Sequence, residues 1–238
     1  MKQIHWISCP KCGSKTRDRL RADTILINHY KAALTPKQEE SLLAFMEQDT
    51  VCRKYRDEVI ILLGTGLRIS EFCGLTTALD FKNRQINVDH QLLRDADIGY
   101  YIETPKTKNG IRQIPMNEEV YQALKRVLKN RGNAAPFSVE GYKNFLFLKN
   151  DGMPKVSANY DSMLKGLVKK YNKQNKEQLP NITPHILRHT FCTRLANAGM
   201  NPKALQYIMG HANITMTLNY YAHATYDSAK AEMERLAA

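Results

Sequence analysis

The sequence predicts a mainly α fold with a small antiparallel β-sheet (α+β). Three observations carry this expectation. Apolar residues recur at helical spacing along most of the chain. Several of these runs open on a capping residue followed by proline. A short central region instead alternates apolar and polar residues around an Asn-Gly turn.

Thr35-Pro36-Lys37-Gln38 opens the first helix. Thr35 is the N-cap, Pro36 takes the first helical position and Gln38 closes a capping box. Leu42, Leu43, Phe45 and Met46 supply its apolar face. Tyr55 to Leu63 reads as a second, strongly apolar helix that Gly64 and Gly66 stop. Arg68 to Leu75 starts a third, with Ser70 and Glu71 in its first turn. Arg84 to His90 and Tyr100 to Thr104 alternate as strands, Asn109-Gly110 is a hairpin turn, and Ile111 to Pro115 is the returning strand. Asn117 caps a helix running to Asn130. Phe145 to Leu148 is a short strand before the Asp151-Gly152 turn. Ser157 caps a helix with a basic tail, Lys169-Lys170-Tyr171-Asn172-Lys173. Thr183-Pro184 opens a helix ending near Ala198-Gly199, and Asn201-Pro202 opens another to Met209. Thr215 to Tyr221 and Tyr226 to Leu236 complete the helices.

At 238 residues the chain is long enough for one large domain with a small appendage. Hydrophobic and charged contents of 43% and 24% are ordinary for a folded protein, but a net charge of +12 is not. It points to a polyanionic partner, of which nucleic acid is the usual one. There is no apolar run of eighteen residues and no signal-peptide core at the N-terminus. Five cysteines, an odd number, argue against a disulfide framework. A cytoplasmic setting is the expectation.

Residues 1–30 read apart from residues 31–238, with a linker around residues 27–34. Cys9-Pro10-Lys11-Cys12-Gly13 is half of a zinc ribbon. A tetrahedral site needs two further ligands. Cys52, Cys73 and Cys192 stand alone in helical segments, and Cys73 and Cys192 suit small core positions. His5 offers a third ligand, but a fourth is not evident, so no metal site is expected and residues 1–30 are not an independent domain. The run from Cys9 to Thr24 resembles the first half of small cysteine-rich KTR proteins, whose second Cys-x-x-Cys is missing here.

The chemistry-bearing residues fall in two places. Gly64-Thr65-Gly66-Leu67-Arg68-Ile69-Ser70-Glu71 puts an arginine at a helix start. Thr183-Pro184-His185-Ile186-Leu187-Arg188-His189 is followed by Gly210-His211 and Tyr220-Tyr221. A phosphodiester is an anion, and a pair of arginines neutralises its non-bridging oxygens through planar forks of donors. Arg68 and Arg188 are the candidates. Arg68 also has a plainer reading, a surface arginine paired with Glu71 one turn on. His185 and Arg188 share one helical face at a helix start, which favours an anion. His211, after a glycine that leaves room for a ligand, can donate to a phosphate. No cluster of carboxylates or metal ligands accompanies these residues, so the chemistry reads as metal-free, with no cofactor.

The order Arg, Lys, His-x-x-Arg, Gly-His, Tyr resembles the catalytic domain of tyrosine recombinases, the family of phage and conjugative-transposon integrases. The resemblance runs from about Leu34 to the C-terminus. It implies a site of Arg68, Lys106, His185, Arg188, His211 and Tyr221, with Glu71 in support and His189 buttressing the packing. The hairpin Pro105-Lys106-Thr107-Lys108-Asn109-Gly110 resembles the one that carries the family's general-acid lysine. Lys106 is preferred and Lys108 is kept as a DNA contact. Both Tyr220 and Tyr221 follow His211 at the family's spacing for the nucleophile. The flank Thr217-Leu218-Asn219-Tyr220-Tyr221-Ala222-His223 favours Tyr221. The implied activity is cleavage and rejoining of double-stranded DNA through a 3′-phosphotyrosine, in integration or excision of a mobile element, with self-association in a tetrameric synapse. Family members usually carry an N-terminal DNA-binding domain, and about thirty unrelated residues stand in its place. A form truncated at the N-terminus, with a weaker clamp on DNA, is therefore the expectation. Two other readings stay open: a catalytically impaired DNA-binding remnant of an integrase, and a zinc-ribbon nucleic-acid module.

Overall fold

The computed structural model describes residues 7–8, 15–16, 33–105, 110–131, 137–221 and 233–234. Near the N-terminus, β1 (Ile7–Ser8) and β2 (Lys15–Thr16) pair antiparallel, Ile7 opposite Thr16. Cys9 and Cys12 lie outside the described residues.

Helix α1 (Pro36–Gln48) begins as its sequence dictates. Thr35 Oγ1 accepts from the Gln38 amide at 3.2 Å, and the Gln38 side chain accepts from the Thr35 amide at 3.0 Å. A single 3₁₀ turn, Arg53–Tyr55, leads into α2 (Arg56–Thr65). Its run Val59-Ile60-Ile61-Leu62-Leu63 is buried on all sides, because α2 is the axis of the fold. It packs against α4 (Glu118–Asn130) and α6 (Pro184–Asn197). Each such side chain contributes about 1.5–3 kcal/mol of hydrophobic stabilisation. Gly66 ends α2 in the left-handed conformation, φ 62°. A Cβ there would come within 2.3 Å of Phe191 Cδ1, so only glycine closes this helix without strain or a shift of the Phe191 ring.

Helix α3 (Ile69–Gly74) starts at Arg68 as N-cap and packs on β4 (Gln91–Asp95) and α5 (Ser157–Gln174). Phe72 anchors that contact, stacked on Phe147 at 4.0 Å and edge-on to Tyr160 at 5.4 Å. Cys73 and Cys192 are wholly buried, as core residues should be.

The strands depart from the expected hairpin. Strand β5 (Gly99–Glu103) pairs with β4, a strand the sequence pattern does not reveal. The returning strand β6 (Arg112–Pro115) pairs instead with β3 (Gln85–Val88), Ile86 opposite Ile114. The result is two two-stranded ribbons rather than one sheet. In β6 the residues Arg112 and Ile114 face inward while Gln113 and Pro115 face out. The stretch Phe145 to Leu148 makes isolated bridges, to Thr76 and Pro154, rather than a strand.

Helices α7 (Pro202–Met209) and α8 (Ile214–Leu218) follow α6. Helix α8 ends before the tyrosine pair: Asn219, Tyr220 and Tyr221 form a turn, closed by Tyr220 N–H to the Thr217 carbonyl and Tyr221 N–H to the Leu218 carbonyl. The expected helix through Tyr221 is thus cut short. Most of Tyr226 to Leu236 lies outside the described residues. Among the described residues, no helix is long and apolar enough to cross a membrane.

Candidate active site

Helix ends leave carbonyls without partners, and their aligned dipoles make those carbonyls negative. The ends of α2 and α7 meet in this fold, and both finish on a left-handed glycine, Gly66 and Gly210. Arginines fill the gap. Three successive carbonyls at the end of α7 each accept from a different one. Ile208 takes Arg112 Nε at 2.6 Å, Met209 takes Arg188 Nη2 at 2.5 Å and Gly210 takes Arg68 Nη2 at 2.8 Å. Arg188 Nη1 also reaches the Gly66 carbonyl at the end of α2, 2.5 Å away. Segments from four parts of the chain thus converge on one point.

Glu71 is the shared counter-ion. Both of its oxygens accept from Arg112, at 3.0 and 2.8 Å, and Oε1 also takes Arg68 Nη1 at 2.7 Å. Its Oε2 caps the Arg68 amide at 2.9 Å. Burial alone would raise its pKa. The hydrogen bonds and charge of Arg112, with Arg68 and Arg188 behind, outweigh burial and hold it down at about 2. The i,i+3 pairing of Arg68 with Glu71 is therefore real, but it belongs to this larger network rather than to a solvated surface. Arg68 stays about a third exposed, at 34% for its side chain, so its guanidinium remains open to a ligand.

Arg188 is buried, and burial together with the nearby Arg68 charge pulls its pKa down to about 9, Glu71 opposing. His211 is 1% exposed. Its Nδ1 lies 2.9 Å from Thr217 Oγ1, while Nε2 meets no hydrogen-bond partner among the described residues. Burial and then the charges of Arg188, Arg68 and Arg112 lower its pKa to about 3, so it is neutral at physiological pH.

His185 sits half-buried in the first turn of α6, one turn before Arg188. His189 is buried, with Nδ1 3.0 Å from the Tyr220 hydroxyl and the two rings 5.0 Å apart. Tyr221 donates its hydroxyl to the Met200 carbonyl, and burial raises its pKa. The structure thus brings Arg68, Glu71, Arg188 and His211 into one cluster and places both tyrosines beside α6. Lys106 and Lys108 lie outside the described residues.

Two residues of the cluster escape sequence reasoning. Arg112 carries a signal: in a period-two strand, an inward Ile114 puts Arg112 inward as well. Thr217 carries none, because its partner is set by the turn between α7 and α8.

Residues 32–228 match the model of the phage integrase family. The chain belongs to the phage integrase family. Residues 4–44 also match the cysteine-rich KTR model. The transposase from transposon Tn916 of Enterococcus faecalis is 68% identical over 207 residues, covering 87% of this chain and 51% of that protein. The chain thus spans about half the length of that relative. Among solved structures, a tyrosine-to-phenylalanine variant of the Tn1549 transposon integrase, in complex with transposon right-end DNA, is 67% identical. Its TM-score is 0.82, with 87% of this chain and 67% of that one covered. The catalytic domain of bacteriophage HP1 integrase shares the fold at 22% identity, with TM-score 0.53 and 85% and 94% covered. The expected family and fold class both hold.

Proposed function

We propose that this chain cleaves and rejoins double-stranded DNA through a 3′-phosphotyrosine intermediate, in the integration or excision of a mobile element. The observation that carries the reading is the charge of the cluster. Arg68, Arg112 and Arg188 face a single carboxylate, Glu71, beside a neutral His211 whose Nε2 is unpartnered among the described residues. Two positive charges are left uncompensated, and a phosphodiester under attack by a phenolate develops two negative ones. DNA complexes of the similar Tn1549 integrase support a DNA substrate.

In this reading Arg68 and Arg188 hold the non-bridging oxygens of the scissile phosphate, and His185 and His211 complete the cradle. His211 donates through Nε2–H, which requires the tautomer in which Thr217 donates to Nδ1. The Tyr221 oxygen attacks phosphorus and its proton is lost. The bond from phosphorus to the 5′-oxygen breaks, and Lys106 protonates that oxygen. The phosphotyrosine conserves the bond energy for the reverse step, in which a 5′-hydroxyl displaces the phenolate. Tyr221 must first release the Met200 carbonyl. Tyr220, tied to His189, serves as its packing neighbour. The chemistry belongs with a cytoplasmic protein that assembles as a tetramer on two DNA sites.

The test is a nicked suicide substrate bearing transposon right-end DNA, on which a covalent adduct accumulates. Tyr221→Phe should eliminate the adduct, and peptide mapping should find it on Tyr221 in the wild-type chain. An adduct on Tyr220 reverses that assignment. DNA binding without any adduct favours the non-catalytic remnant.

A further inference from the structure

The arginines of the cluster are not equivalent. Arg68 keeps an open edge, whereas the Arg112 side chain is wholly buried and every one of its nitrogens is engaged. Nε reaches Ile208, Nη1 reaches Glu71 and the Gly110 carbonyl at 3.1 Å, and Nη2 reaches the other Glu71 oxygen. Four of its five N–H groups are taken and the side chain is out of reach of solvent, so it is not placed to hold a ligand itself. It lies instead between the two pieces that carry ligand-facing groups. One is Glu71, which takes Arg68 by both its guanidinium and its amide. The other is the end of α7, which leads through Gly210 straight into His211. The packing is tight: a Cβ on Gly210 would stand 2.9 Å from Arg112 Cζ and Nη1. Gly210 is needed for its φ of 60° and because the guanidinium lies directly against it.

We propose that Arg112 is a positioning residue of the phosphate site: its fork fixes Glu71 and the end of α7 in one frame, and so aims Arg68 and His211 at the same anion. The anion's identity as a DNA phosphate rests on the function proposed above; the positioning role does not. Lysine cannot replace this arginine. It carries the charge, but a single ammonium cannot hold two carboxylate oxygens and a carbonyl on the far side. A displacement of about 1 Å in a phosphate ligand costs on the order of 100-fold in rate.

The experiment uses the full chain with Arg112→Lys and Arg112→Met, and two readouts. The first is the rate of adduct formation on nicked DNA with either a natural phosphate or a methylphosphonate at the scissile position. The methylphosphonate lacks one charged oxygen, so an aimed arginine matters less to it. Both variants should lose about 100-fold on the phosphate and about tenfold or less on the methylphosphonate. Equal losses on the two substrates would mean a general structural defect and overturn the proposal. So would wild-type rates in Arg112→Lys, since charge alone would then suffice. The second readout needs no cleavage. Inorganic phosphate is titrated into chain labelled with ¹⁵N-histidine, and the His211 Nε2 signal is followed. Its midpoint should rise about tenfold in Arg112→Lys, and an unchanged midpoint overturns the proposal. If the wild-type chain forms no adduct, the proposed function fails and the phosphate titration alone decides the role of Arg112. If Arg112→Met does not fold, Arg112→Lys carries both readouts.

Discussion

Two buried glutamates sit at opposite ends of α2, and they do different things. Glu58, in the first turn, accepts from Lys155 Nζ and from the Tyr160 hydroxyl, each at 2.6 Å. Lys155 also lies over the Tyr55 ring at 4.9 Å. One cation meets one anion, and a phenol takes the remaining oxygen. The phenol stays protonated, since burial and the nearby glutamate raise its pKa. Glu71, just beyond the other end, is outnumbered by arginines, and the same cluster holds an imidazole nitrogen that is unpartnered among the described residues. The first cluster is closed, and adding a ligand would only disturb it. The second is held open by charge. Burial of ionised groups therefore does not mark a functional site in itself. A surplus of one sign, kept in place by backbone carbonyls, does.

The largest expected effect probes the closed cluster. Lys155→Met leaves Glu58 buried without its cation, which should cost about 3–5 kcal/mol of stability. Chemical denaturation measures it, while adduct formation per folded molecule should stay at the wild-type level. A selective loss of activity would erase the distinction between the two glutamates.

Arg188→Ala comes next. It removes a charge-assisted donor from the open cluster and should slow adduct formation by about 10²–10³-fold, as loss of a transition-state donor does. Single-turnover kinetics on the nicked substrate would read it, and a near wild-type rate would take Arg188 out of the site.

Acid offers a subtler separation. His211 has its folded pKa lowered to about 3, against 6.5 for a free histidine. As pH falls below 6.5, the unfolded chain takes up a proton that the folded chain refuses, so stability falls. The loss is about 1.4 kcal/mol per unit, or about 2 kcal/mol by pH 5. Glu71 is depressed to about 2 from 4.5, so its contribution is intact at pH 5 and is lost only as pH falls from about 4.5 towards 2. Urea titrations of wild type and His211→Gln from pH 7 to 5 should diverge by this amount; parallel curves would contradict the burial of a neutral imidazole.

The smallest effect concerns Thr217. Thr217→Val keeps the shape but removes the hydroxyl that fixes the His211 tautomer, and should slow the reaction about tenfold, the worth of one hydrogen bond. Thr217→Ser should restore it. A valine variant as fast as wild type would leave the tautomer to other groups.

Much of this is legible in the amino-acid sequence. The caps at Thr35, Asn117, Thr183 and Asn201 all form as their residue types require, because capping is local chemistry. The convergence of Arg68, Arg188 and His211 is legible too, through the order of motifs rather than through physics. What escapes is pairing at a distance. The pattern Tyr100 to Thr104 fits a partner on either side, and only packing chooses β4 over β6. Ser157 has the residue type of a cap, yet the helix begins on it, with Val156 amide bonded to the Asn159 side chain at 2.8 Å. The tyrosine pair leaves its helix because the α8 carbonyls close on a tight turn.

The bonds at the end of α7 have a consequence in time. Arg112 to Ile208 spans 96 residues of sequence, Arg188 to Gly66 spans 122, and Arg68 to Gly210 spans 142. Contacts this distant form late, since the chain must be closed into a loop before they repay it. On the ribosome, Arg68, Glu71 and Arg112 emerge long before α7 exists. A nascent chain therefore has three members of the arginine–glutamate cluster without the backbone that gathers them. The gathered cluster is among the last features of the fold to form, once α7 has been made.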